Sequence, residues 1–201
     1  GMAHARRVPP LVAGLFLAFL VNATAYPICS GLLAFVVRDV YGADRGFLGM
    51  LLAGYAAGAL AGSVLLTLCS GRLLPARTML AATLLWFPLM LALALVTDRW
   101  VGLAVVTAIG FVQSFCMVPM AVVLLRVTQP AFRGRVMGLR MLAIYGLPLG
   151  LLVAGELIAR HGFAVAAGLF AGVGLLGSIG AGLCWWRHLW PEAAAANGGR
   201  G

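Results

Sequence analysis

Residues 130–140 read PAFRGRVMGLR, which places Arg133, Arg135 and Arg140 close together in a 201-residue chain that is 63% hydrophobic. Clustered arginines ordinarily suggest neutralisation of nucleic-acid phosphates. A formal charge of +9 and an isoelectric point near 10.7 point the same way. Composition argues against that reading. Only 9% of residues are charged and mean hydropathy is +1.06, more apolar surface than one water-soluble core of this length encloses. The arginine cluster is therefore a polar interruption between apolar stretches, and those stretches decide the fold.

A membrane-spanning helix needs about 20 apolar residues, and a charge at its centre costs about 2.5–3.5 kcal/mol. Uncharged runs extend from Val8 to Val37, Gly46 to Gly71, Thr78 to Thr97, Trp100 to Leu125 and Gly162 to Trp186. A sixth, Met141 to Ala159, carries one acid, Glu156. Strands of a membrane barrel are about 10 residues long and alternate in polarity, whereas these runs are longer and apolar on every face. The expectation is an all-α membrane protein of six transmembrane helices, arranged as two three-helix inverted repeats. Residues 1–8 and 187–201 form flanking segments, the second of them disordered, around a domain at 9–186.

Counting arginines across six alternating spans gives a large asymmetry. One side holds Arg6, Arg7, Arg72, Arg77, Arg126, Arg133, Arg135, Arg140, Arg187 and Arg200; the other holds Arg38, Arg45, Arg99 and Arg160. By the positive-inside rule the richer side is cytoplasmic, so both termini are expected there in a multi-pass protein of the inner or plasma membrane. The start, with its basic residues, apolar run and Ala23-Thr24-Ala25, imitates a cleaved signal peptide. The apolar run continues through YPICSGLLAFVV, so the segment reads as a retained span. Asn22-Ala23-Thr24 has the form of a glycosylation sequon but lies inside that span.

All 14 basic residues are arginine. Without lysine the chain has neither a phosphate-binding P-loop nor an amine for Schiff-base chemistry. Ser30-Gly31 invites comparison with an intramembrane serine protease, yet His4, His161 and His188 all fall at the ends or in loops, away from a mid-membrane hydroxyl. Cys29, Cys69, Cys116 and Cys184 lack ligand-like spacing and read as small packing residues. The expectation is no enzyme, no metal and no cofactor.

The spans differ in character. GYAAGALAG puts Gly54, Gly58 and Gly62 on one ridge of the second span. Gly146, Gly150 and Ala154 repeat it in the fifth, and Ala164, Gly168 and Gly172 in the sixth. Such ridges let backbones approach in lipid. One is accounted for by packing within the bundle, while two or three suggest further close partners. Polar residues gather instead in the first span (Asn22, Thr24, Tyr26, Ser30) and the fourth (Thr107, Gln113, Ser114), each interrupted by a proline, Pro27 or Pro119. Asn22 and Ser114 both lie five residues before that proline. Proline-interrupted spans at matching positions of two halves point to a transporter's binding region, and interhelical hydrogen bonding is the alternative for Asn22 and Gln113. Glu156 has Arg160 four residues on, so an interfacial ion pair competes with a protonatable role in transport.

These residues resemble the major facilitator superfamily, and within it the carboxy-terminal half of drug- and siderophore-exporter-like members. AYPICSGLLAFVVRDVYGADRGFLGMLLAGYAAGALAGS looks like the seventh span, outer loop and eighth span of such proteins. RVTQPAFRGRVMGLRMLAIYGLPLGLLVAGELIARHGFAVA looks like the region from the end of the tenth span to the start of the twelfth. Arg133-Gly134-Arg135-Val136 followed by Pro148-Leu149-Gly150 is its most specific part. Gly71, Arg72 and Leu73, with Arg77 beyond them, match a degraded copy of a cytoplasmic loop motif in which Pro75 replaces the acid.

The resemblance implies that the first and fourth spans line a central cavity, the second and fifth face the other half, and the third and sixth lie outside. It implies a secondary active transporter, an ion-gradient-driven antiporter expelling small amphipathic compounds by alternating access. Asn22, Tyr26, Gln113, Ser114 and Tyr145 are the substrate-cavity candidates. The family ordinarily has twelve spans, so the partners expected are the lipid bilayer, a small-molecule substrate and a second six-helix half, either a missing amino-terminal half or a second copy. The alternative is a non-transporting six-span scaffold whose glycine ridges bind another membrane protein.

Overall fold

A computed structural model of the chain describes residues 9–69 and 73–189. Among them every regular element is helical, and six segments are long and apolar enough to cross a membrane: Leu11–Val40, Arg45–Leu68, Pro75–Leu95, Arg99–Arg126, Pro130–His161 and Phe163–Trp185. They are numbered here as spans one to six.

Their ends follow from local chemistry. Asp44 accepts a hydrogen bond from the Phe47 amide (3.0 Å) and so caps span two. Asp98 accepts from the amides of Trp100 and Val101, both at 2.9 Å, and caps span four. Pro75 opens span three, where its missing amide hydrogen is no loss. Gly162, at φ +83°, terminates span five in a conformation that favours glycine and turns the chain directly into span six.

Pro27 has a larger effect. Span one is α-helical to Tyr26, winds as π-helix over Pro27–Gly31, and does so again over Val36–Val40. A proline ring clashes with the preceding turn and lacks a donor, so the wider winding is the local relaxation.

Spans two and three both pack on span four, spans five and six both pack on span one, and spans three and six pack on each other. Exchanging the first three spans with the last three leaves this pattern unchanged, as two inverted three-helix repeats require. The separation between Pro27 and Pro119 is also that between Asn22 and Ser114, Gly54 and Gly146, and Gly58 and Gly150. The core holds Trp86, Phe87, Met79 and Met90 of span three, Ile109 and Met120 of span four, and Leu17 and Ile28 of span one, all essentially inaccessible.

Two of the three glycine ridges close inside the bundle. A Cβ on Gly58 would overlap the Thr107 carbonyl oxygen of span four; one on Gly62 would stand 2.6 Å from the Phe111 carbonyl oxygen, and one on Gly54 would stand 2.8 Å from Thr107 Oγ1. Gly110 makes the reciprocal approach to the Tyr55 carbonyl. In span five, a Cβ on Gly146 would lie 3.2 Å from the Phe19 carbonyl oxygen, and one on Gly150 would overlap that of Ala23 in span one. These glycines join helices within the chain, a correction to the inference that multiple ridges serve external partners. A Cβ on Gly168 or Gly172 would meet nothing within 4 Å among the described residues; span six packs instead through Gly174, against Phe87, and Gly177, against Leu20.

The opposite faces of spans two and five remain open. Only 22% of each apolar window is buried, against 61% for span one, and Leu60, Val64, Leu68, Leu149, Leu152 and Val153 are exposed.

Candidate transport cavity

Spans one, four and five border an open cavity of about 480 Å³ lined by Ala18, Asn22, Tyr26, Gln113, Met117, Met120, Arg140, Met141, Ile144 and Leu147. Three of the five sequence candidates come together here. Gln113 Nε2 of span four donates a hydrogen bond to the Tyr26 hydroxyl of span one. Tyr26 is held from behind by Trp86 of span three, in an edge-on contact with ring centroids 5.3 Å apart. Asn22 Nδ2 donates to the Ala18 carbonyl one turn back, at 2.8 Å. That bond uses one donor of the amide and leaves its carbonyl oxygen for other partners. Gln113 Oε1 is buried and has no hydrogen-bond partner among the described residues.

The other two candidates lie elsewhere. Ser114 Oγ donates to the Ala59 carbonyl of span two (2.7 Å) and accepts from Ser63 Oγ (3.3 Å), so it joins the contact between spans two and four. One residue is about 100° of helix rotation, enough to separate Ser114 from Gln113. Tyr145 is 69% exposed, at the break between the two helical segments of span five, and is absent from the lining.

Arg140 is the lining residue that sequence segmentation missed. Taking charge-free runs as spans began the fifth at Met141, but the helix starts at Arg133, and Arg140 lies about two turns inside it. Its side chain is half-buried and lines the cavity with Tyr26 and Gln113. The signal was the seven-residue spacing from Arg133, which sets Arg140 on the same helix face but deeper. Arg133 and Arg135 behave as the sequence suggests for loop-end charges: both are exposed, and Arg135 stacks over the Phe132 ring at 5.7 Å. Gly134 has open space around it. Arg77 lies in the first turn of span three, while Gly71 and Arg72 fall outside the described residues.

Glu156 pairs with Arg160 one turn on; both side chains are more than half exposed, far from the cavity lining. Asp39 likewise pairs with the adjacent Arg38 in the last turn of span one.

A cavity bounded by two proline-bearing spans, with the membrane-crossing segments repeated in inverted order, is the arrangement to set beside known families. The family model described as Major Facilitator Superfamily matches residues 12–200. The chain belongs to the Major Facilitator Superfamily. Its members are membrane transporters, which places the chain in a lipid bilayer among proteins that carry small molecules. No curated protein and no solved structure matches the chain. Within the superfamily, spans one and four here supply Asn22, Tyr26 and Gln113 to the cavity, while spans two and five carry the least covered faces.

Proposed function

We propose that the chain is one half of a secondary active exporter, which moves small amphipathic compounds by alternating access in exchange for an ion. A second six-helix half, from another chain or another copy, covers the open faces of spans two and five, and the cavity becomes the central binding site. The arginine-rich side, with both termini, faces the cytoplasm of a cell membrane.

The observation that carries this reading is the Asn22, Tyr26 and Gln113 cluster, set among methionine and aliphatic side chains where spans one, four and five converge. Methionine adapts to varied apolar shapes, and a few neutral amide and phenol groups orient a ligand. Alternating access rocks two repeats about such a site. Glu156, paired and exposed at the far end of span five, is poorly placed to couple ion movement to cargo, so the coupling carboxylate belongs to the second half.

Reconstituted vesicles test the reading. A proton gradient is expected to drive accumulation of an amphipathic dye, and Asn22→Ala with Gln113→Ala is expected to slow it at least tenfold. Gradient-independent dye movement, or a double variant as fast as the parent, would overturn it.

A further inference from the structure

We propose that the cavity receives an amphipathic organic anion, a carboxylate or sulfonate on an apolar body, with Arg140 as the group that holds its charged head. The inference rests on the transport reading above and specifies the class of cargo.

Among the described residues Arg140 is the sole charged group in the lining, and its companions there are three neutral polar residues and six apolar ones. Each acid among the described residues is engaged or distant. Asp44 and Asp98 cap helices, Asp39 pairs with Arg38, and Glu156 pairs with Arg160, all of them outside the lining. Among the described residues Arg140 makes no ion pair. An ionisable side chain within a span is costly unless it meets water, a partner or a ligand. Guanidinium presents a rigid fork of donors matched to planar carboxylate and to sulfonate oxygens.

The neutral groups are suited to the same task. The Asn22 amide and the Tyr26 and Gln113 pair offer orientation without competing charge. Met117, Met120, Met141, Ile144 and Leu147 provide the apolar bed for the body of the molecule. An amphipathic cation, by contrast, would meet only a like charge here, and like charges in a partly desolvated site repel strongly.

The test compares two matched anions, 1-naphthoate and 1-naphthalenesulfonate, with 1-naphthylmethylammonium. Binding to the whole chain is measured by titration calorimetry in uncharged maltoside micelles, which carry no headgroup phosphate to compete for Arg140. Both anions are expected to bind at least tenfold more tightly than the cation. Arg140→Gln is expected to abolish that preference, Arg140→Lys to retain part of it, and Arg135→Gln, altered outside the lining, to leave it unchanged. Absence of any preference in the parent protein would overturn the proposal, and this holds even if Arg140→Gln fails to fold. A preference that survives Arg140→Gln would overturn it too. Flux in vesicles separates this failure from that of the transport reading. Anions bound through Arg140 but not moved by any gradient would sink transport and leave the site intact. A cationic dye pumped equally by the parent and by Arg140→Gln would sink the anion site and leave transport intact.

Discussion

Gln113 of span four reaches across the bundle and donates to the Tyr26 hydroxyl of span one, joining the two helices at the cavity wall. Tyr26→Phe keeps the ring against Trp86 but removes the acceptor, and Gln113 already has one buried amide atom without a partner among the described residues. Leaving a buried donor unpaired costs about 1–3 kcal/mol. Thermal unfolding in detergent is expected to show a loss of that size. A variant as stable as the parent would mean that water or lipid readily replaces the hydroxyl.

The contact between spans two and four tolerates no side chain at Gly58. Gly58→Ala forces the helices apart, at an expected cost of about 1–3 kcal/mol for overpacking. Gly168→Ala fills open space and is expected to change stability by no more than about 0.5 kcal/mol. Unfolding midpoints of the two variants measured side by side decide the matter, and equal values would contradict the packing described.

Asp98 has two separable roles. Asp98→Ala removes the acceptor for the Trp100 and Val101 amides and is expected to cost about 1 kcal/mol, whereas Asp98→Asn keeps a capping side chain. Tyr41, in the loop after span one, has its pKa raised above the usual value, first by burial and then by the negative charge of Asp98. Removing that charge in either variant lowers the Tyr41 pKa toward its ordinary range, so tyrosinate forms at lower pH. Absorbance titration against a Tyr41→Phe control checks the shift.

The Glu156 and Arg160 pair is exposed on both sides, and such pairs contribute about 0–1 kcal/mol. Glu156→Gln is expected to leave both the unfolding midpoint and the rate of vesicle transport unchanged. A large loss of transport would assign the carboxylate a part in ion coupling.

The six spans were legible because hydrocarbon excludes charge, which makes uncharged runs of about 20 residues nearly sufficient. The same rule misplaced the start of span five, since a charge facing a cavity is not excluded. Glycine ridges announced close approach but not the partner, because small residues report only that a backbone comes near. Ser114 and Gln113 are adjacent in sequence and diverge in space, since the rotation of span four about its axis is set by Gly58, Gly62 and Gly110 meeting their neighbours.

Those glycine contacts have a mechanical consequence. Backbone locked against backbone makes spans two and four, and likewise spans one and five, stiff composite struts that resist shear. The uncovered faces of spans two and five offer leucine and valine, whose side chains change rotamer without breaking hydrogen bonds. The bundle is thus stiff where its helices lock backbone to backbone and deformable where its leucine and valine faces are left open.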